Sequence, residues 1–155
     1  EKEIIERYNQ EVRVFKEDDW VLFEIPKDRT GYKLIATINR GVLYWESKVK
    51  YPYLVELSID FETTREDGLT DDLVAERLNI LEDRYLEEVA KWNSCIEIGR
   101  QTENNNRKVF FASDEFVKLS EKTNEFVNKY KGEYELSYSI FRDKYWKRFR
   151  SFMKH

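Results

Sequence analysis

Tyr53-Leu-Val-Glu-Leu-Ser-Ile-Asp-Phe61, followed by Glu62-Thr-Thr-Arg-Glu-Asp-Gly-Leu69, is the stretch from which the fold can be read. Val55, Leu57, Ile59 and Phe61 alternate with Glu56, Ser58 and Asp60, the period of two that marks a strand with one buried face. Pro52 stands just ahead of it, where a residue without an N–H costs no ladder bond. The charged loop behind it contains Gly68 and leads into an amphipathic helix. Thr70 is the expected N-cap, with Asp71 and Asp72 suited to the positive helix end. Val74, Leu78, Leu81, Tyr85, Val89 and Trp92 recur at three- and four-residue steps, which carries the helix to about Lys91.

Downstream, Ile96 to Thr102 and Arg107 to Ala112 read as two strands around a Glu103-Asn-Asn-Asn106 tip, whose asparagines tolerate left-handed turns. Ser113 is the expected cap of a second helix, with Asp114 and Glu115 in its first turn. Phe116, Leu119, Thr123, Phe126, Val127 and Tyr130 are expected to face inward, and Gly132 to stop the helix. Tyr134, Leu136, Tyr138 and Ile140 alternate in a last strand, and a short helix from Asp143 to about Met153 ends the chain. Upstream, Trp20 to Ile25 and Lys33 to Asn39 form a hairpin around Pro26-Lys-Asp-Arg-Thr-Gly31, and Leu34, Ala36 and Ile38 are the second strand's buried face. Residues 1–19 are an arm or short helix, and 20–155 a single domain. The order strand–helix–strand–strand–helix–strand predicts an α+β fold. Its ferredoxin-like antiparallel sheet carries two helices on one face, preceded by the hairpin and ended by the short helix.

With 155 residues the chain can bury a sizeable core, and with 37% charged and 15% aromatic residues it is a well-solvated, aromatic-rich globule. A net charge of −4 disfavours bulk nucleic-acid or anionic-membrane binding, and no apolar run approaches the ~18 residues of a membrane span. Cys95 is the only cysteine and His155 the only histidine. This excludes an internal disulfide, a multi-cysteine zinc site and the His-dependent triads, and fits a reducing, cytoplasmic setting. No cofactor motif or phosphate-cradling loop is present, so neither a cofactor nor a metal is expected.

The topology brings the loop after Phe61 to the same sheet edge as the hairpin tip. Arg100 is expected to share a face with Ile96 and Ile98 and to point at the helical layer near the Asp67–Thr70 turn. A guanidinium there needs a carboxylate: either it pairs with Asp67 or another acid and locks the turn, or it serves an anion or peptide carboxylate. Glu62, Glu66 and Asp67, with Asp60, match no metal loop and read as a solvated acidic turn, so enzyme activity is unsupported.

Arg142, Lys144, Lys147, Arg148, Arg150 and Lys154 stand against one acid, Asp143, so the remaining 141 residues carry −9. Tyr145, Trp146, Phe149 and Phe152 interleave with these bases. Basic residues with aromatic platforms suit single-stranded RNA, whereas aromatics at helical steps suit packing, with the bases left as a patch for an acidic protein or a phosphate backbone.

These residues carry a family resemblance. Trp20, Arg65-Glu-Asp-Gly-Leu69, Leu81-Glu-Asp83, Gly99-Arg-Gln-Thr102, Asn106-Arg107, Phe110-Phe111 and the closing Trp146, Phe149 and Phe152 resemble the domain of unknown function 695 family of bacterial proteins. The resemblance spans roughly residues 20–153 and departs from the family at Ala112, where members often carry tyrosine. That family is similar to the ribonuclease E inhibitor type of ferredoxin-like domain. The resemblance therefore implies a non-catalytic regulatory or binding role that works through protein contacts, with RNA turnover as one setting. It marks Arg65, Glu66, Asp67, Arg100, Thr102, Arg107 and Trp146 as the positions of any shared site. Three expectations stand: a protein-binding module first, an RNA-associated protein using the basic terminus second, a hydrolase built on the loop carboxylates last.

Overall fold

The structure, a computed structural model, describes residues 18–26, 33–92 and 95–153, the Trp92 side chain excepted. Residues 1–17 of the expected 1–19 arm, most of the Pro26–Gly31 loop, Lys154 and His155 lie outside the described residues.

Among the described residues six strands, β1 (Trp20–Pro26), β2 (Lys33–Asn39), β3 (Tyr53–Asp60), β4 (Ile96–Glu103), β5 (Asn106–Ser113) and β6 (Glu135–Arg142), form one antiparallel sheet in the order β1-β2-β4-β5-β3-β6. The quoted stretch is an inner strand. β3 pairs with β5 from Tyr53↔Ser113 to Asp60↔Asn106 and with β6 from Tyr53↔Arg142 to Asp60↔Glu135. The last four strands are compatible with the ferredoxin-like arrangement, and the N-terminal hairpin extends the sheet beyond β4 through Ile35↔Thr102 to Ile38↔Gly99.

Each sheet face carries a core. On one, Val55, Leu57 and Ile59 meet α2 (Asp72–Glu88) through Leu78, Leu81 and Tyr85, and α3 (Val117–Tyr130) through Leu119, Phe126 and Tyr130; α1 is the short helix Arg40–Leu43. The Tyr85 hydroxyl bonds the Thr123 hydroxyl at 2.9 Å between the two helices, and the Tyr85 ring lies 4.6 Å from Phe111. On the other face, Leu54, Ile38, Ile98 and Phe110 are roofed by Leu43, Trp45, Trp146 and Phe149. The chain between β2 and β3, which reads as irregular in sequence, thus contributes Val42, Leu43 and Trp45 to a second core.

Several local expectations are corrected. Asp71, not Thr70, caps α2, its carboxylate accepting the Val74 N–H at 3.0 Å. Glu115, not Ser113, serves the start of α3 by accepting the Lys118 N–H at 3.0 Å, because Ser113 still belongs to β5. Phe116, expected inside, precedes α3 and is exposed. The hairpin tip is two residues, Asn104 and Asn105, with φ 45° and 61° as a type I′ turn requires. The closing helix is a 3₁₀ helix, Lys147–Met153, whose first amides are held by Asp143: Lys147 N–H at 2.9 Å and Arg148 N–H at 3.1 Å.

Candidate functional site

The arginines are brought together by an irregularity in β4. A bulge between Glu97 and Gly99 breaks the alternation, so Ile96 and Ile98 enter the second core while Arg100, paired with Val109, emerges on the helical face. Arg100 therefore points where expected but does not share a face with the isoleucines. Gly99 permits the close approach of β2 at this point, since a Cβ on it would stand 2.3 Å from the Thr37 carbonyl oxygen.

Beneath Arg100, α2 presents Asn79 and the buried Glu82. Arg100 Nη1 donates to Asn79 Oδ1 at 2.9 Å and lies 3.1 Å from Glu82 Oε2. Arg107, buried, donates from Nη1 to Asn79 at 3.0 Å and to Glu82 Oε1 at 3.2 Å, and from Nε to the Thr102 hydroxyl at 3.3 Å. One carboxylate thus faces two guanidiniums. Burial pushes the Glu82 carboxyl above its ordinary value, and both guanidiniums oppose that shift. Burial likewise lowers Arg107, against the pull of Glu82. Nearby Glu97 is pushed up to about 7, first by burial and then by the Glu82 charge.

The loop after β3 closes the site from above. Asn105 N–H donates to the Gly68 carbonyl at 2.9 Å and Phe61 N–H to the Asn105 carbonyl at 2.9 Å, so loop and hairpin tip share an edge as the topology requires. Of the two expected choices for Arg100, Asp67 or another acid, the structure has the second: Asp67 is held by Arg65, whose Nε donates at 3.0 Å, and by the Leu69 N–H at 3.1 Å, while Arg100's acid is Glu82. Neighbours two apart in one loop meet more readily than groups on separate elements.

Arg65, Arg100, Thr102 and Arg107 line one cavity of about 210 Å³. Glu66 is exposed on the loop. Trp146 is not part of the site: it lies in the second core, on the opposite face, and donates its indole N–H to the Tyr51 carbonyl at 2.9 Å. Asn79 escapes the sequence reading, and Glu82 enters it only within the Leu81-Glu-Asp83 block, not as a site residue, although it sits four residues after Leu78 and three before Tyr85, on the apolar stripe, where a carboxylate signals a buried partner.

The other loop carboxylates do not converge on this cavity. Glu62 lines a larger groove of about 450 Å³ with Asp60, Arg77, Glu133 and Tyr134, where Arg77 lies 5.2 Å over the Tyr134 ring. Among the described residues, no three His, Cys, Asp or Glu side chains are grouped to hold a metal ion. Burial pushes the Cys95 thiol up to about 12, which leaves it a thiol rather than a nucleophilic thiolate at neutral pH.

The basic terminus is divided. Arg148 pairs with Glu56 and stacks over Phe110 at 4.9 Å and Phe141 at 5.3 Å, so it is fastened to the sheet. Arg142, Lys144, Lys147 and Arg150 are exposed, with Lys144 over the exposed Tyr145 ring. Phe149 and Phe152 pack, Phe152 edge-on to Phe23 at 5.0 Å.

Residues 31–154 match the Family of unknown function (DUF695), and the chain belongs to that family. Comparison with curated proteins and with solved structures gave no match. No helix among the described residues is long and apolar enough to cross a membrane.

Proposed function

We propose that this DUF695 chain is a non-catalytic binding module that acts through protein–protein contacts, with the arginine pocket as its contact point. The observation supporting this is the set of unused donors. Arg100 bonds through Nη1 alone, Arg107 through Nη1 and Nε, and Arg65 through Nε and Nη2. The remaining guanidinium N–H groups have no protein acceptor among the described residues, and the charge of Glu82 is already divided between two cations. Such a site is fitted to accept an anionic group from a partner.

A second reading, an RNA-associated role, draws on the exposed bases Arg142, Lys144, Lys147 and Arg150 beside Tyr145. No observation favours a hydrolase, because Asp67 is occupied by Arg65 and Glu62 faces a different groove. Affinity capture from a native lysate, with and without nuclease, discriminates between the first two. A protein partner that survives nuclease supports the contact reading. A set of proteins lost on nuclease treatment moves the function to the basic terminus.

A further inference from the structure

We infer that the arginine pocket and the bare helix-side face of the β1–β2 hairpin form one docking surface for a peptide that carries a carboxylate beside an apolar side chain. The inference rests on the protein-contact reading above and names the chemistry of the partner.

Three arginines and three threonines are among the nine residues lining the pocket, and none of the nine is acidic. The donors left over are Arg65 Nη1, Arg100 Nε and Nη2, and Arg107 Nη2. A guanidinium fork matches a planar carboxylate. Arg65 is neutralised by Asp67, and Arg100 with Arg107 exceed Glu82 by at most one positive charge, part of which Glu97 offsets once it ionises. A monoanion balances that excess, whereas a phosphate dianion overshoots it. At about 210 Å³ the cavity holds on the order of seven waters' volume, enough for a carboxylate and a short stem. Glu82 and Asn79 hold Arg100 and Arg107 in place before any ligand arrives, which lowers the ordering cost of binding.

The apolar half lies next to it. No residue of β1 or β2 belongs to the core beneath the helices, so among the described residues that core leaves the hairpin's face on that side uncovered. Leu22 pairs with Thr37, and Glu24 with Ile35; Thr37 and Ile35 form the pocket wall. Leu22 is 66% exposed and Trp20, on the same face, 43%. Large apolar side chains left open beside an unspent cation complement a ligand that is apolar at one end and anionic at the other.

The test is an NMR titration of the labelled full chain, read at the Arg100 side-chain N–H and the Trp20 indole. The probes are a doubly capped leucine–aspartate–leucine tripeptide, its asparagine counterpart, leucine–alanine–leucine with a free terminal carboxylate, and inorganic phosphate. Saturable shifts at both positions are expected with a carboxylate peptide, with affinity about tenfold weaker for the asparagine peptide. Whichever carboxylate peptide binds more tightly identifies the source, a side chain or a chain end. Leu22→Ser, exposed and therefore neutral for folding, should weaken binding several-fold, and Arg100→Lys, which keeps a cation for Glu82, should do the same. Equal binding of the asparagine peptide, tighter binding of phosphate, indifference to Leu22→Ser, or no shift up to about 10 mM overturns the inference. If the last result is accompanied by nuclease-resistant capture of a protein partner, this surface is refuted while the binding-module reading survives. Loss of that capture as well refutes both.

Discussion

Two arginines on opposite faces of the same sheet show how differently a charge can be used. Arg148 has its guanidinium stacked on Phe110 and Phe141 and its charge met by Glu56, and it holds the C-terminal segment to the sheet. Arg100 bonds through a single nitrogen, shares its acid with Arg107, and opens the rest of its fork to a cavity. The first arrangement is complete within the chain; the second has donors to spare. Cation count in the sequence favours the C-terminus as the binding region, whereas bonding favours the pocket.

Trp146→Ala gives the largest test of that contrast. Its indole is buried and hydrogen-bonded, so truncation should cost about 3–5 kcal/mol in chemical denaturation. A loss below ~1 kcal/mol would free the C-terminal segment for a binding role. Arg107→Ala should cost about 3 kcal/mol, because it leaves Glu82 buried with only the partly exposed Arg100. If Arg107→Ala were neutral, the pocket's floor would not be the fixed structure described above.

A pH series sharpens the electrostatics. Glu97 is held at about 7 when folded against 4.5 for the free side chain, so the folded state binds the extra proton between those values. Its contribution favours folding at low pH and is lost as pH rises through 7, on the order of 2 kcal/mol once discounted for partial exposure. Glu97→Gln should abolish that part of the pH dependence and leave the variant more stable than wild type at pH 8. An unchanged slope from pH 5 to 8 counts against the buried acid pair.

Smaller effects complete the series. Arg148→Ala should lose about 1 kcal/mol by removing its stacking and its half-exposed ion pair. Arg65→Ala should change stability by no more than roughly 0.5 kcal/mol, since its link to Asp67 is within one exposed loop. If Arg65→Ala melted the chain more than Arg148→Ala, the assignment of spare and structural cations would be reversed.

The fold was largely legible because period-two runs such as Val55, Leu57 and Ile59 and three- and four-residue steps such as Leu78, Leu81 and Tyr85 report a buried face directly. The second core was legible only in part, through Leu34, Ala36 and Ile38 and the packing reading of the C-terminal aromatics, since Val42, Leu43 and Trp45 lie in a segment with no regular period and reveal their burial only in three dimensions. For the site, Arg65, Arg100, Thr102 and Arg107 were marked by family resemblance and do meet in space. Their partners were missed for local reasons. The bulge at Ile98 puts Arg100 and the isoleucines on different faces, and the close-range pairing of Arg65 with Asp67 leaves Glu82 as Arg100's acid. Bulges and competing ion pairs depend on geometry that single-sequence spacing does not encode.

The central claim is tested most directly by nuclease-treated affinity capture with two baits side by side, wild type and Arg65→Ala/Arg100→Lys. Both substitutions leave Glu82 with a cation, so the two baits should give matching melting curves. We predict a protein partner retained by wild type and lost by the double variant. Equal retention on both baits would contradict the account and move the contact surface away from the arginine pocket.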